Sequence, residues 1–178
     1  MYLTGTVITA RDAAHRRALE FLKKGEKLPV DFHGLAVYHM GPIVKKAGDE
    51  WKVVSAGPTT STRLEMYEAE FLEKTGAKLV IGKGGMGPKT AEACKKLGTA
   101  YAIYTGGAGA LAAKAIREVR GVEWLDLGSP EALWILDVED FGPLTVTIDS
   151  EGRNHYEEMK SKIKGNLLEA YKMMGVAV

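Results

Sequence analysis

The sequence predicts an α/β fold with a mixed, mostly parallel sheet, and two observations carry that expectation. Strand, glycine-rich turn and helix recur between Trp51 and Arg120, with turns at residues 57–63, 82–87 and 105–109. That is the pattern of βα units laid on one sheet. The final third then changes period: short apolar runs at 122–126, 133–138 and 144–148 precede one striped helix, so β, β and α layers are expected. The 178 residues divide into one domain over 1–150 and a C-terminal helical extension over 151–178 packed on it.

Taken in order, residues 4–10 are rich in β-branched side chains and read as a strand. Asp12 stands as N-cap of the next helix, in which Ala14, Ala18, Phe21 and Leu22 recur at helical spacing until Gly25. His15 is an ordinary position on it. Residues 35–38 read as a buried strand, Gly41-Pro42 as a turn, 45–50 as a polar loop and 51–56 as a strand. From Thr62 a helix carries Leu64, Tyr67, Phe71 and Leu72 on one stripe; Thr62 and Glu65 have capping-box spacing, and Gly76 ends it. Residues 78–81 form a short strand, Pro88 opens the next helix, and 100–104 form another strand. The helix after the third turn places Ala108, Leu111, Ala112, Ala115, Ile116 and Val119 on one face. The runs 133–138 and 144–148 pair as a hairpin around Phe141-Gly142-Pro143. Tyr156, Met159, Ile163, Leu167, Ala170 and Met174 stripe the last helix, which Gly165 weakens.

Composition removes several function classes. A net charge of +1 gives no broad nucleic-acid footprint. No apolar run reaches the roughly 18 residues of a membrane span. Met1-Tyr2-Leu3-Thr4-Gly5 lacks a basic segment leading into an apolar one, so a cytoplasmic chain is expected. One cysteine, Cys94, can neither close an internal disulfide nor alone hold zinc or an iron–sulfur cluster, so no metal is expected on this chain. His33 and His39 flank a strand without further ligands.

The turns carry the chemistry. Gly57-Pro58 forces a bend, four hydroxyl residues follow, and Arg63 sits at a helix mouth, where N–H groups and the dipole favour an anion. Arg11 takes the matching place after the first strand, and Lys83 lies inside the glycine loop. Gly82, Gly84 and Gly87 satisfy G-x-G-x-x-G, yet no acid ends the next strand and Pro88 interrupts the helix start. The P-loop pattern fails by one residue, because Lys89-Thr90 follows Pro88. A nucleotide-binding module using residues 82–87 remains the rival reading.

Taken together, Thr4-Gly5-Thr6-Val7-Ile8-Thr9-Ala10-Arg11-Asp12-Ala13-Ala14-His15, Gly57-Pro58-Thr59-Thr60-Ser61-Thr62-Arg63, Gly82-Lys83-Gly84-Gly85-Met86-Gly87 and the acidic-aromatic run 134–143 resemble one family. It is the β subunit, or C-terminal domain, of class I iron–sulfur fumarate hydratases and the related L(+)-tartrate dehydratases, and the resemblance spans residues 3–148. It implies a swivelling β/β/α domain and a hydro-lyase active only with an α subunit whose cysteines hold a [4Fe–4S] cluster. It implies reversible hydration of fumarate to (S)-malate, as in the tricarboxylic acid cycle, with L(+)-tartrate dehydration as the alternative. The implied partners are the α subunit and a dicarboxylate substrate, in a heterotetramer, or a homodimer when the chain is alone. The resemblance assigns Arg11, Arg63 and Lys83 to the substrate and Thr59 to proton transfer. Thr60, Gly84, Gly85, Asp12 and His15 stand beside them as secondary candidates. Arginine forks suit carboxylates, whereas a threonine needs cationic surroundings to act as a base. A helix-cap or turn hydroxyl is the alternative reading of Thr59, and a purely structural docking subunit stays open.

Overall fold

The computed structural model describes residues 1–175. In chain order its strands are β1 (Leu3–Thr9), β2 (Ala36–Tyr38), β3 (Ile43–Ala47), β4 (Glu50–Ser55), β5 (Leu79–Gly82), β6 (Ala100–Ile103), β7 (Ile116–Glu123), β8 (Leu133–Phe141) and β9 (Thr145–Ile148). Its helices are α1 (Asp12–Lys23), α2 (Glu65–Thr75), α3 (Pro88–Leu97), α4 (Gly109–Lys114) and α5 (His155–Met173).

Side-chain alternation builds the centre. Ile8, Val37, Val80 and Tyr101 point to one face of the sheet, and Val7, Ala36, Ile81 and Ala102 to the other; all are buried. The strands carrying them, β1, β2, β5 and β6, run parallel. Antiparallel β8 and β9 flank them, and β7 extends the β8 edge, giving the order β7-β8-β1-β2-β5-β6-β9. On the first face lie α1, α2 and α3, through Ala14, Ala18, Leu19, Phe71, Leu72 and Ala93. On the second lie α4 and a β3–β4 ribbon, with Trp51 edge-on to the buried Trp134, ring centroids 5.4 Å apart. Helices, large sheet and small ribbon make the β/β/α layering. Each large apolar side chain so buried contributes about 1.5–3 kcal/mol.

Several local expectations give way to tertiary contacts. Residues 45–50 are no loop: they lie in β3, β4 and the turn between them. Lys45 and its partner Lys52 face solvent, while Val44, Trp51 and Val53 on the other side pack on the large sheet, with the Lys46 ammonium 5.3 Å from the centre of the Trp51 ring. The strand before the first glycine turn therefore lies outside the main sheet. The helix expected through Val119 stops at Lys114, and β7 takes over as an edge strand. From that strand Ile116, Val119 and Val122 still reach the same core, so a helical stripe and a half-buried strand were indistinguishable by burial need. The short run expected at 122–126 splits: β7 ends at Glu123, Trp124 turns left-handed at φ 60°, and Leu125–Leu127 form one 3₁₀ turn. β8 and β9 form no hairpin. β8 lies between β7 and β1 and β9 edges β6, because Leu144 spends its backbone groups on Met1, at 2.7 and 2.8 Å.

α5 starts at Asn154, whose side chain accepts from Tyr156 N–H at 3.1 Å and donates to Met86 C=O at 2.9 Å. Tyr156 lies over Gly85. Beyond it, the apolar positions Met159, Ile163, Leu167 and Met174 are exposed, and the helix runs unbroken through Gly165.

Candidate active site

Parallel strands deliver their carboxyl ends to one edge, the usual place for a ligand in such sheets. Here Arg11 follows β1, His39 follows β2 and Lys83 follows β5. The segment after β4 is stitched onto that edge: Thr59 N–H donates to His39 C=O at 2.7 Å, Ser61 N–H to Lys83 C=O at 3.0 Å, and Thr60 bridges Lys83 in parallel fashion. Gly82 is required there, because a Cβ would stand 1.8 Å from Ser61 Oγ.

Charge is arranged in pairs at this edge. Arg63 donates from Nε and Nη2 to the two Asp12 oxygens, at 3.2 and 2.9 Å, and from Nη2 to Thr59 Oγ1 at 3.0 Å. The Arg63 guanidinium holds the Asp12 carboxyl below its ordinary value, and Asp12 raises Arg63 in return. Arg11 Nε lies 3.2 Å from Glu131 Oε1, and Glu131 Oε2 accepts Ala13 N–H at 2.8 Å, so one carboxylate serves both Arg11 and the first turn of α1. Arg63 keeps Nη1 outside these bonds.

The structure thus brings Asp12, Thr59 and Arg63 into direct contact and sets Arg11 beside them. Lys83 joins through its main chain, its stem lying over Gly106. Thr60 is exposed. Gly84 has φ +77°, where L side chains are strained, and its C=O accepts Tyr101 O–H at 2.8 Å. Asp12 is not the N-cap; Arg11 holds that position, and the Asp12 side chain faces Arg63 instead. The capping box is also rerouted. Thr62 donates to Gly85 C=O, while Glu65 accepts from Gly87, Lys89 and Thr90 N–H at 2.7, 3.0 and 3.2 Å. Glu65 therefore fills the mouth of α3, the place a nucleotide phosphate would need.

His15, read as an ordinary helix position, is fully buried against His39 and Glu68, which are equally buried. Glu68 Oε2 stands 2.9 Å from His39 Nε2 and 3.5 Å from His15 Nε2. Outward from this contact, His39 Nδ1 meets Ser61 Oγ at 2.9 Å and His15 Nδ1 meets Arg11 C=O at 2.9 Å. Burial would raise Glu68, but the two histidines more than offset that and hold it at about 2. Burial pushes His39 below its ordinary value against the pull of Glu68. Among the described residues, these three are the one group with a metal-ligating donor set. Sequence reasoning missed Glu131, Ser61 and Glu68. The hydroxyl run signalled Ser61, while nothing local marked the two glutamates, whose partners lie far along the chain.

The model of a family described as "Fumarase C-terminus" matches residues 1–159. The chain belongs to the fumarase C-terminal family. Relatives agree with it. An L(+)-tartrate dehydratase subunit beta of Escherichia coli (strain K12) is 50% identical over 160 residues, 90% of this chain and 78% of that one. A putative L(+)-tartrate dehydratase subunit beta of Methanocaldococcus jannaschii is 45% identical over 170 residues, 95% of this chain and 87% of that one. A putative fumarate hydratase class I of Geobacillus stearothermophilus is 41% identical over 159 residues, 89% of this chain but 30% of that one. The fumarase C-terminal fold thus occurs both as a separate subunit and as part of a longer chain.

Proposed function

We propose that this chain is the β subunit of a heteromeric hydro-lyase for four-carbon dicarboxylates, its site completed by an α subunit. Family membership and the names of the relatives support the subunit and reaction class. The observation that carries the chemistry is Arg63: one guanidinium donates to the Thr59 hydroxyl and keeps Nη1 for a substrate carboxylate.

In this reading Arg63 and Arg11 orient the two carboxylates and Lys83 adds a point charge. Thr59 Oγ1 gives or takes the proton at the carbon that gains or loses hydrogen. The Arg63 N–H on that oxygen favours its alkoxide form, which supplies the activation a threonine lacks. Well-placed donors of this kind contribute roughly 3 kcal/mol each to the barrier. A [4Fe–4S] cluster on the α subunit would supply a Lewis acid for the hydroxyl. This chain does not fit as its holder, since burial pushes its one thiol, Cys94, up to about 12.

Hydration of fumarate to (S)-malate is the first substrate reading. L(+)-tartrate dehydration is the second, favoured by the names of the relatives at 45% and 50% identity. We place the complex in the cytoplasm as a heterotetramer, with residues 1–150 as the working domain and 151–178 as its extension. Among the described residues, no helix is long and apolar enough to cross a membrane. The test is anaerobic reconstitution with and without the α subunit, following fumarate and L(+)-tartrate loss. Turnover of either diacid only in the complex is expected. Activity of the isolated chain would overturn the subunit assignment.

A further inference from the structure

We propose that His15, Glu68 and His39 form one buried positioning unit, with Glu68 as its shared anion, that fixes the spacing of the Arg11, Thr59 and Lys83 corners. The inference rests on reading those corners as the substrate site.

Each corner is tied to the unit close to its main chain. Arg11 C=O receives His15 Nδ1. Thr59 N–H donates to His39 C=O. Lys83 N–H donates to Ser61 Oγ at 3.2 Å, and Ser61 Oγ meets His39 Nδ1. Three elements far apart in sequence, α1, α2 and the residue after β2, supply the three members. A shift of Glu68 would therefore reach all three corners, and displacement of reacting groups by about 1 Å can cost on the order of 100-fold in rate.

Hydrogen-bond chemistry fixes the protons. A carbonyl cannot donate, so His15 Nδ1 carries hydrogen toward Arg11. The Glu68 carboxylate can only accept, so His39 carries hydrogen on Nε2, 2.9 Å from it; burial disfavours a second proton, which leaves Nδ1 to accept from Ser61 Oγ, itself the acceptor of Lys83 N–H. His39 is then a neutral ring with hydrogen on Nε2, facing Glu68. His15 Nε2 faces the same carboxylate oxygen from the other side, at 3.5 Å. A divalent cation held by the same groups would leave net positive charge and an open coordination position among side chains with no solvent exposure. The remaining ionisable neighbours are Asp12 on α1, Cys94 on α3 and Tyr101 on β6.

Two measurements test this. Long-range proton–nitrogen NMR of the full chain with labelled histidine should show His39 with hydrogen on Nε2 alone, and His15 with hydrogen on Nδ1. In the reconstituted complex, Glu68→Gln should lower kcat/KM by about 10- to 100-fold in protein that keeps its circular dichroism. Ser61→Ala, which deletes one oxygen, should raise KM several-fold through Lys83, and it serves where Glu68→Gln fails to fold. The proposal is overturned by hydrogen on Nδ1 of His39 in the wild type. It is equally overturned by a stoichiometric metal ion in the isolated chain, or by a lowered melting temperature with unchanged KM and kcat in folded Glu68→Gln and Ser61→Ala. The NMR readout needs no substrate, so absent hydro-lyase activity would count against the reaction and not against the unit.

Discussion

At the scale of single residues, Arg63 and Thr59 should separate binding from proton transfer. Thr59 Oγ1 has Arg63 as its side-chain partner, so Thr59→Ala should change stability by only about 0.5 kcal/mol. Its kcat should fall by about 100-fold or more while KM moves little, because the lost group acts on the proton and not on the carboxylates. Arg63→Ala removes a carboxylate fork and the donor to Thr59 together, so kcat/KM should fall by roughly 100- to 1000-fold. Arg63→Lys keeps the charge but loses the fork to Asp12 and should recover only part of that. Steady-state kinetics on the reconstituted complex check all three. A near wild-type Arg63→Ala would remove this residue from the site.

At the scale of elements, the corners hold because side chains from one element cap another. Glu65 on α2 gathers the N–H groups of Gly87, the N-cap of α3, and of Lys89 and Thr90 in its first turn, together with the Thr90 hydroxyl at 2.6 Å. Losing such a cap costs about 2 kcal/mol, so Glu65→Ala should lower the urea midpoint by that equivalent with an unchanged slope. The capping-box spacing made a role for Glu65 legible in the sequence, but not which helix it serves, since that depends on packing between elements. The same limit explains β3, β7 and β9: their periods suit a loop, a helix and a hairpin until neighbouring strands compete for the same backbone groups. The glycine turns were legible because close approach is written into residue type. Gly82→Ala tests that directly. Its methyl must displace Ser61, so both stability and kcat/KM should fall, whereas Gly25→Ala, with open space around it, should leave kcat/KM unchanged.

At the scale of the whole molecule, the layers and the three basic residues at strand ends were readable because strand alternation and charge at a strand-to-helix corner are local signals, whereas Thr59 was singled out from its hydroxyl run by the family resemblance alone. The buried acid that ties them was not readable, because nothing in the run from Glu65 to Thr75 distinguishes Glu68 from its solvated neighbours. Its two histidine partners, which outweigh the effect of burial, make the fold sensitive to acid, with a definite sign. Glu68 is held at about 2 in the folded chain against an ordinary 4.5, so its stabilisation is complete above 4.5 and is lost as pH falls from there toward 2. His39 is pushed below its ordinary 6.5 by burial, so the unfolded chain takes up that proton first and stability already declines as pH falls through 6.5. Both groups act in the same direction. The melting temperature should therefore be highest near neutral pH, decline from 6.5 and drop more steeply below 4.5. Glu68→Gln should start lower and lose the steep segment, because the amide does not titrate. Calorimetry between pH 8 and 3 on both chains measures this, and parallel curves for the two would mean that Glu68 carries no buried charge.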